Sequence, residues 1–368
     1  MNLGKIKGIN IKLHFSTLAI VGLVGFYAAM IYAEMVQNAP LWELVLVGLI
    51  NGVLILFSIL IHELMHSLMA LKDGIKVPEI ELYIFGGVAK IEEEPKTPRS
   101  EMKIAFVGPL ISLVFGGALF TLYLLPITLP QIWMVTFYYS GLTNIILGIF
   151  NLLPAFPMDG GRILRAYLWK RRNNIISATK SAVKTALFFG YGFMALGLMQ
   201  TFLLGSFGGL WLVFIGFFLN NTAKRALNQT IYENWLSQLK AGDIMGLPGY
   251  AIPFDTTLMD ALRRYFVPFK RSYFPVIQGP EVVGIIHIED IKQIPYEDRY
   301  NNIVGYTMRR IGDYPEIDEN DSGLDAMRML RKIEIQPPLL IVREDDEILG
   351  FIGNEDITSA MKFADIQA

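Results

Sequence analysis

The residues with the clearest chemistry are His62, Glu63 and His66, which stand as His62-Glu63-Leu64-Met65-His66. On a helix, positions i and i+4 share a face, so both imidazoles reach one tetrahedral zinc ion, and the intervening Glu63, turned by about 100°, addresses a water on that metal. The arrangement suits metal-assisted hydrolysis, with the glutamate as general base. The context sharpens it: the chain has four histidines in all, and the pair follows about 18 uncharged residues of an apolar run that must be helical if it spans a membrane. A satisfied polar cluster between helices is the plain alternative. With no cysteine in 368 residues, any metal here uses His, Asp or Glu, and a disulfide framework or thiolate nucleophile is ruled out.

A catalytic zinc needs a third protein ligand and one open position. Asp159, in Pro157-Met158-Asp159-Gly160-Gly161-Arg162, is the only carboxylate between Glu101 and Glu233. An Asp before Gly-Gly also suits a turn or a helix N-cap. The need for a third ligand favours the metal.

The elements that must carry these residues are membrane helices. Hydrophobic residues make up 53% of the chain, charged residues 18%, and mean hydropathy is +0.41, too apolar for a soluble enzyme of this length. Six apolar runs, near 14–33, 44–70, 104–125, 131–150, 182–203 and 207–223, approach the length that crosses about 30 Å of hydrocarbon. The first is longer than a signal core and lacks a convincing cleavage site, so it reads as a retained span.

The formal charge of -2 hides an asymmetry. Residues 1–229 hold 18 Lys+Arg against 11 Asp+Glu, a net of +7, and residues 230–368 hold 14 against 23, a net of -9. Nothing here resembles the basic patch of a nucleic-acid-binding module, so no nucleic-acid partner is expected. All 18 basic residues of the first part fall in alternate loops, while 34–43, 126–131 and 204–206 have none. That pattern places both termini in the cytoplasm.

The pair HELMH and NLLPAFPMDGGR, in this order and on separate spans, resembles the site-2 protease family of intramembrane zinc metalloproteases, and is more similar to archaeal and bacterial members than to animal ones. The likeness covers roughly residues 1–225 and includes Gly86-Gly87 and Gly108-Pro109. It implies one zinc ion per chain on His62, His66 and Asp159, Glu63 as general base, and Asn151 holding the scissile carbonyl or its oxyanion. Substrates would be transmembrane or membrane-associated proteins, cut near the cytoplasmic leaflet of the lipid bilayer. Asn151 also suits a cap on the helix that Pro154 and Pro157 break. Such a break is tolerated at membrane depth only where the backbone is buried in protein or lines a wet cavity.

Residues 80–91 are rich in β-formers around Gly86-Gly87 and read as a strand that clamps an unwound substrate by edge pairing, or as a hairpin without that role. The run Glu92-Glu93-Glu94 reads as a solvated loop.

From about residue 240 the pattern changes to short strands and helices with an internal repeat of about 65 residues, 241–300 and 304–363. This resembles a tandem pair of CBS domains spanning 240–363, a family that commonly binds adenine nucleotides such as ATP or AMP. Asp290 and Asp356 match the position that usually holds ribose hydroxyls. The Ser/Thr normally found three residues earlier is replaced by His287 and Gly353, which leaves a homodimer contact or substrate gating without nucleotide as an alternative role. His287 lacks a partner at ligand spacing and reads as structural. The expected architecture is therefore a polytopic α-helical membrane domain of about six spans (1–229) with a cytoplasmic α/β tandem CBS module. The competing function is a CBS-gated metal-ion transporter or channel, which would have no need of Glu63 as a base.

Overall fold

The computed structural model describes all residues except 84–85, 91–92, 127, 247–248, 346 and 368, and of 88 and 365–367 it describes the backbone alone. The chain divides into two compact units, Met1–Asn228 and Gln229–Ala368.

The first unit opens with a hairpin, β1 (Asn2–Ile6) and β2 (Ile9–Leu13). Its turn is Lys7-Gly8, both at positive φ, the geometry that two-residue hairpins favour. Helices α1 (Thr17–Met35) and α2 (Leu41–Lys72) follow, then β3 (Glu79–Tyr83) and β4 (Gly86–Lys90). The four strands form one sheet in the order β1-β2-β3-β4, with β2 and β3 parallel and the other pairs antiparallel. Glu79 sits between Lys12 and Lys90 at 2.6 and 2.5 Å, tying three strands together. Those two hydrogen-bonded ammonium groups hold its carboxyl below the usual glutamate range.

Helix α3 (Pro98–Leu124) starts where the sequence offers a full N-terminal signal: the Thr97 hydroxyl accepts from Ser100 N, Pro98 takes the first helical position, and Glu101 lies in the first turn. Helix α4 (Gln131–Asn151) ends at the Pro-rich turn, and α5 (Asp159–Arg172), α6 (Ile175–Leu204) and α7 (Gly209–Leu236) complete the helical set. Five of these, α1, α2, α3, α4 and α6, are long and apolar enough to cross a membrane. The sixth expected run falls in α7, whose 28 residues are long enough to cross, although Asn220, Asn221, Lys224 and Arg225 make its second half more polar than the other five.

The second unit contains α8 (Ala241–Ile244), β5 (Ile252–Pro253), α9 (Leu258–Ala261), α10 (Val267–Phe269), β6 (Tyr273–Gln278), β7 (Glu281–His287), α11 (Ile288–Lys292), α12 (Val304–Thr307) and β8 (Arg309–Arg310). It continues with β9 (Glu316–Asp318), α13 (Gly323–Leu330), β10 (Leu339–Glu344), β11 (Glu347–Gly353) and α14 (Asn354–Gln367). The repeat is visible in the register. Strands β6 and β7 carry a bulge at Val276/Ile277 and β10 and β11 carry one at Val342/Arg343, the equivalent place in each block.

The blocks are not separate packing units. The lead-in of the first, at Gly246, bridges Phe351 of β11, and its Ala241 and Ile244 join a core with Ile317, Leu340 and Ile352. The lead-in of the second supplies β8 to β7 and places Val304 in a core with Ile252, Phe274 and Ile286. Each block thus gives its opening segment to the other, a non-local pairing that repeat boundaries at 241–300 and 304–363 do not reveal.

Candidate metal centre

Three side chains from two helices meet inside the first unit. His62 and His66, one turn apart on α2, point their Nε2 atoms at each other across 3.1 Å, and Asp159 Oδ2 lies 3.1 Å from both. His62 and His66 are 5% exposed and Asp159 8%. Among the described residues this is the one group of three or more His, Asp or Glu able to share a metal ion. Asp159 is the first residue of α5 and its N-cap is Met158, so the carboxylate serves the imidazoles and not a cap.

The outer hydrogen bonds fix what those three atoms carry. His66 Nδ1 lies 2.6 Å from the carbonyl of Ile104 on α3, and a carbonyl only accepts, so Nδ1 holds the hydrogen and the neutral ring turns an unprotonated Nε2 inward. His62 Nδ1 lies 2.9 Å from Ser112 Oγ on the same helix. An imidazole lone pair and a carboxylate oxygen at 3.1 Å repel unless a proton or a metal cation sits between them. The edge is close to the ligand–ligand spacing, about 3.3 Å, of a tetrahedron with 2.0–2.1 Å bonds. The donor set therefore fits zinc.

Glycines make the space. A Cβ at Gly108 of α3 would lie 2.5 Å from His66 Cε1 and 2.8 Å from His62 Nε2, inside the contact distance of any real side chain. A Cβ at Gly161 would lie 2.6 Å from Phe156 N, so α5 packs under the preceding turn only because that residue has no side chain. Glu63 leans towards β4: a Cβ at Gly87 would come within 2.9 Å of its Cδ. The edge strand of the sheet therefore runs beside the glutamate of the metal motif.

Of the expected site residues, the structure brings His62, His66 and Asp159 together and sets Glu63 beside β4. Asn151, the last residue of α4, donates its amide to Leu147 O at 3.0 Å, within its own helix. Ile84, Phe85 and Ile91 of the expected clamp, and Glu92, lie outside the described residues. The side chains of Glu93 and Glu94 are 42% and 41% exposed, as expected of a solvated loop, and Glu94 also reaches the buried Arg165 at 3.4 Å. Three groups escaped sequence reasoning: Ser112, the Ile104 carbonyl and the Arg165–Glu101 pair. The usable signal was their spacing on α3, where 101, 104, 108 and 112 share one face.

In the second unit the two aspartates differ. Asp290 Oδ1 is held by Arg309 Nη2 at 2.6 Å. Asp356 Oδ2 accepts from Gly353 N at 2.8 Å, and its residue lines a cavity of about 320 Å³ with Trp235, Leu239, Asp243, Ser359 and Phe363. His287 is fully buried with Nε2 2.7 Å from Tyr314 Oη, which agrees with a structural histidine.

The Peptidase family M50 model matches residues 51–132 and 127–197, and the CBS domain model matches 241–297. Rip3 of Mycobacterium tuberculosis is 31% identical over 307 residues, 82% of this chain and 78% of its own. The zinc metalloprotease MJ0392 of Methanocaldococcus jannaschii is 29% identical over 374 residues, 100% of this chain and 97% of its own. The solved site-2 protease from Methanocaldococcus jannaschii is 31% identical, covers 61% of this chain and 94% of that one, and superposes with a TM-score of 0.41. Apolar spans around a His-His-Asp cluster, with Rip3 and MJ0392 as relatives, define a zinc metalloprotease with several membrane-crossing helices. The chain belongs to peptidase family M50, the site-2 proteases. That membership sets aside the transporter expected as the competing function.

Proposed function

We propose that the protein is an intramembrane endopeptidase that holds one zinc ion on His62, His66 and Asp159 and cleaves transmembrane or membrane-associated proteins near the cytoplasmic leaflet. The observation that carries this is the convergence of three metal-binding atoms at 3.1 Å in a buried site, each imidazole oriented by a partner on α3. Zinc, when bound, supplies the acidity that activates water and polarises the scissile carbonyl. Glu63 accepts the proton from the water and passes it to the leaving amine. Asn151 keeps a second amide hydrogen beyond the one given to Leu147, available to the carbonyl oxygen as charge develops. A substrate helix must unwind to reach this chemistry, and β4 beside Glu63 offers it an edge to pair with.

Both termini lie in the cytoplasm in this reading, from the one-sided distribution of Lys and Arg. The CBS pair regulates access. Its adenine-nucleotide site is the Asp356 cavity, since Asp290 is already neutralised by Arg309; two carboxylates and an indole there suit a nucleoside better than a polyphosphate. The test is Glu63→Gln, expected to abolish cleavage of a transmembrane reporter while zinc stays bound, with Asp159→Asn expected to lower zinc occupancy. Turnover retained in Glu63→Gln would refute the mechanism.

A further inference from the structure

The network around the metal cluster extends further along α5. Arg165 stands six residues beyond Asp159, about 9 Å along the axis, and is 4% exposed. Its Nε donates to Glu101 Oε1 at 2.6 Å and its Nη2 pairs with the same oxygen. Nη2 also reaches Glu94 Oε2 at 3.4 Å in the loop that follows β4. The guanidinium lies 5.5 Å from the centre of the Phe156 ring, in the turn that leads to Asp159. Glu101 is 1% exposed. One buried cation therefore joins the first turn of α3, the loop after β4 and the approach to Asp159.

The identity of the partner helix gives this contact its meaning. Along one face of α3, Glu101 holds α5, the Ile104 carbonyl orients His66, Gly108 leaves room for the ligand nitrogens, and Ser112 orients His62. Helix α3 supplies none of the three ligand atoms and touches every piece that does. The histidines come from α2 and the carboxylate from α5, so the distance between them is set by how α5 docks on α3.

We propose that Arg165 is a positioning residue for the metal site. Its ion pair with Glu101 fixes the height and rotation of α5 so that Asp159 Oδ2 meets both imidazoles. This rests on the zinc reading above. Arginine suits the task because its rigid fork presents two N–H groups to one carboxylate, which an ammonium does not. Removing it leaves Glu101 buried without its cation, and the relief is for the α3–α5 contact to shift towards water.

The test uses the full chain in proteoliposomes and measures zinc affinity by chelator competition, KM and kcat on a transmembrane reporter, and thermal midpoint. Arg165→Met and Glu101→Gln are each expected to weaken zinc binding about tenfold or more, the range seen when a ligand's outer partners are lost. Arg165→Lys should fall between these and wild type, and the exchange Arg165→Glu with Glu101→Arg should bind zinc more tightly than either single change. KM should move less than about threefold. Zinc affinity within twofold of wild type in the folded variants, with only the thermal midpoint lowered, would mean a merely structural ion pair and overturn the proposal. If Arg165→Met does not fold, Arg165→Lys and Glu101→Gln decide it on the same criterion. Asp159→Asn separates the two levels: unaltered zinc binding there overturns the ligand reading, whereas weakened binding there with unaltered Arg165 variants overturns this inference alone.

Discussion

Gly108→Ala isolates the geometry of the metal site from its chemistry, because it adds one methyl group and changes no ligand. The new Cβ would lie 2.5 Å from His66 Cε1, 2.8 Å from His62 Nε2 and nearer still to His66 Nε2. Ordinary contact begins near 3.4 Å. One or both imidazoles, or α3 with its Ile104 carbonyl and Ser112 hydroxyl, must therefore move by about 1 Å, against a tolerance of about 0.2 Å in metal–ligand distances. The expected loss in zinc affinity is about 100-fold, or roughly 2.8 kcal/mol at 1.4 kcal/mol per tenfold. Alanine is the better helix former by about 0.5–1 kcal/mol, which offsets part of the about 1–3 kcal/mol that overpacking costs, so the metal-free protein should melt only slightly lower than the metal-free wild type. Chelator competition reads the first quantity and thermal melting in excess chelator reads the second. Zinc affinity within threefold of wild type would refute the packing argument, and a large fall in metal-free stability would show that the methyl group disturbs the fold and not the site.

Ser112→Ala removes the partner of His62 Nδ1 and should weaken zinc binding about tenfold, while Ser112→Thr, which keeps a hydroxyl, should come close to wild type by the same competition assay. In the second unit, burial, with Arg309 adding to it, pushes the His287 imidazole down to about 4. Its folded-state pKa lies below the unfolded one, so its contribution is complete above about pH 6.5 and declines as pH falls towards 4, by up to about 3 kcal/mol. The thermal midpoint of this unit should drop across that window, and His287→Gln should flatten the drop; equal slopes would contradict it. The chain has no cysteine, so single cysteines at Asn38 or Ser206 should react with an impermeant maleimide only from outside the cell, and one at Lys96 only after lysis. The reverse labelling would invert the topology.

Much of the site was legible because its residues follow helical periods. His62, Glu63 and His66 show their arrangement in five letters, and Asp159 stands out as a lone carboxylate in a long apolar stretch. Their supports carry no comparable signature. A carbonyl such as Ile104 O has no side-chain letter, and a serine such as Ser112 differs in nothing local from the other hydroxyls of the membrane helices. Helix α5 is polar and ends in Lys170, Arg171 and Arg172, so it falls below any hydropathy pattern although it holds the third ligand. In the second unit the repeat was visible as recurring strands and a closing Asp, but the exchange of lead-ins is a pairing between distant segments, which periodicity does not encode. The same holds for Asp290, whose neutralising Arg309 lies 19 residues away in sequence.

That exchange bears on how such a module is inherited. With Ala241 and Ile244 completing a core around Leu340, and Val304 completing one around Phe274, half of the repeat cut at residue 302 would leave two open cores, each missing its first turn. Gene rearrangement can therefore transplant or discard the pair as one block, but not a single copy. A chain that kept one copy would have to recover the missing lead-in from a second polypeptide.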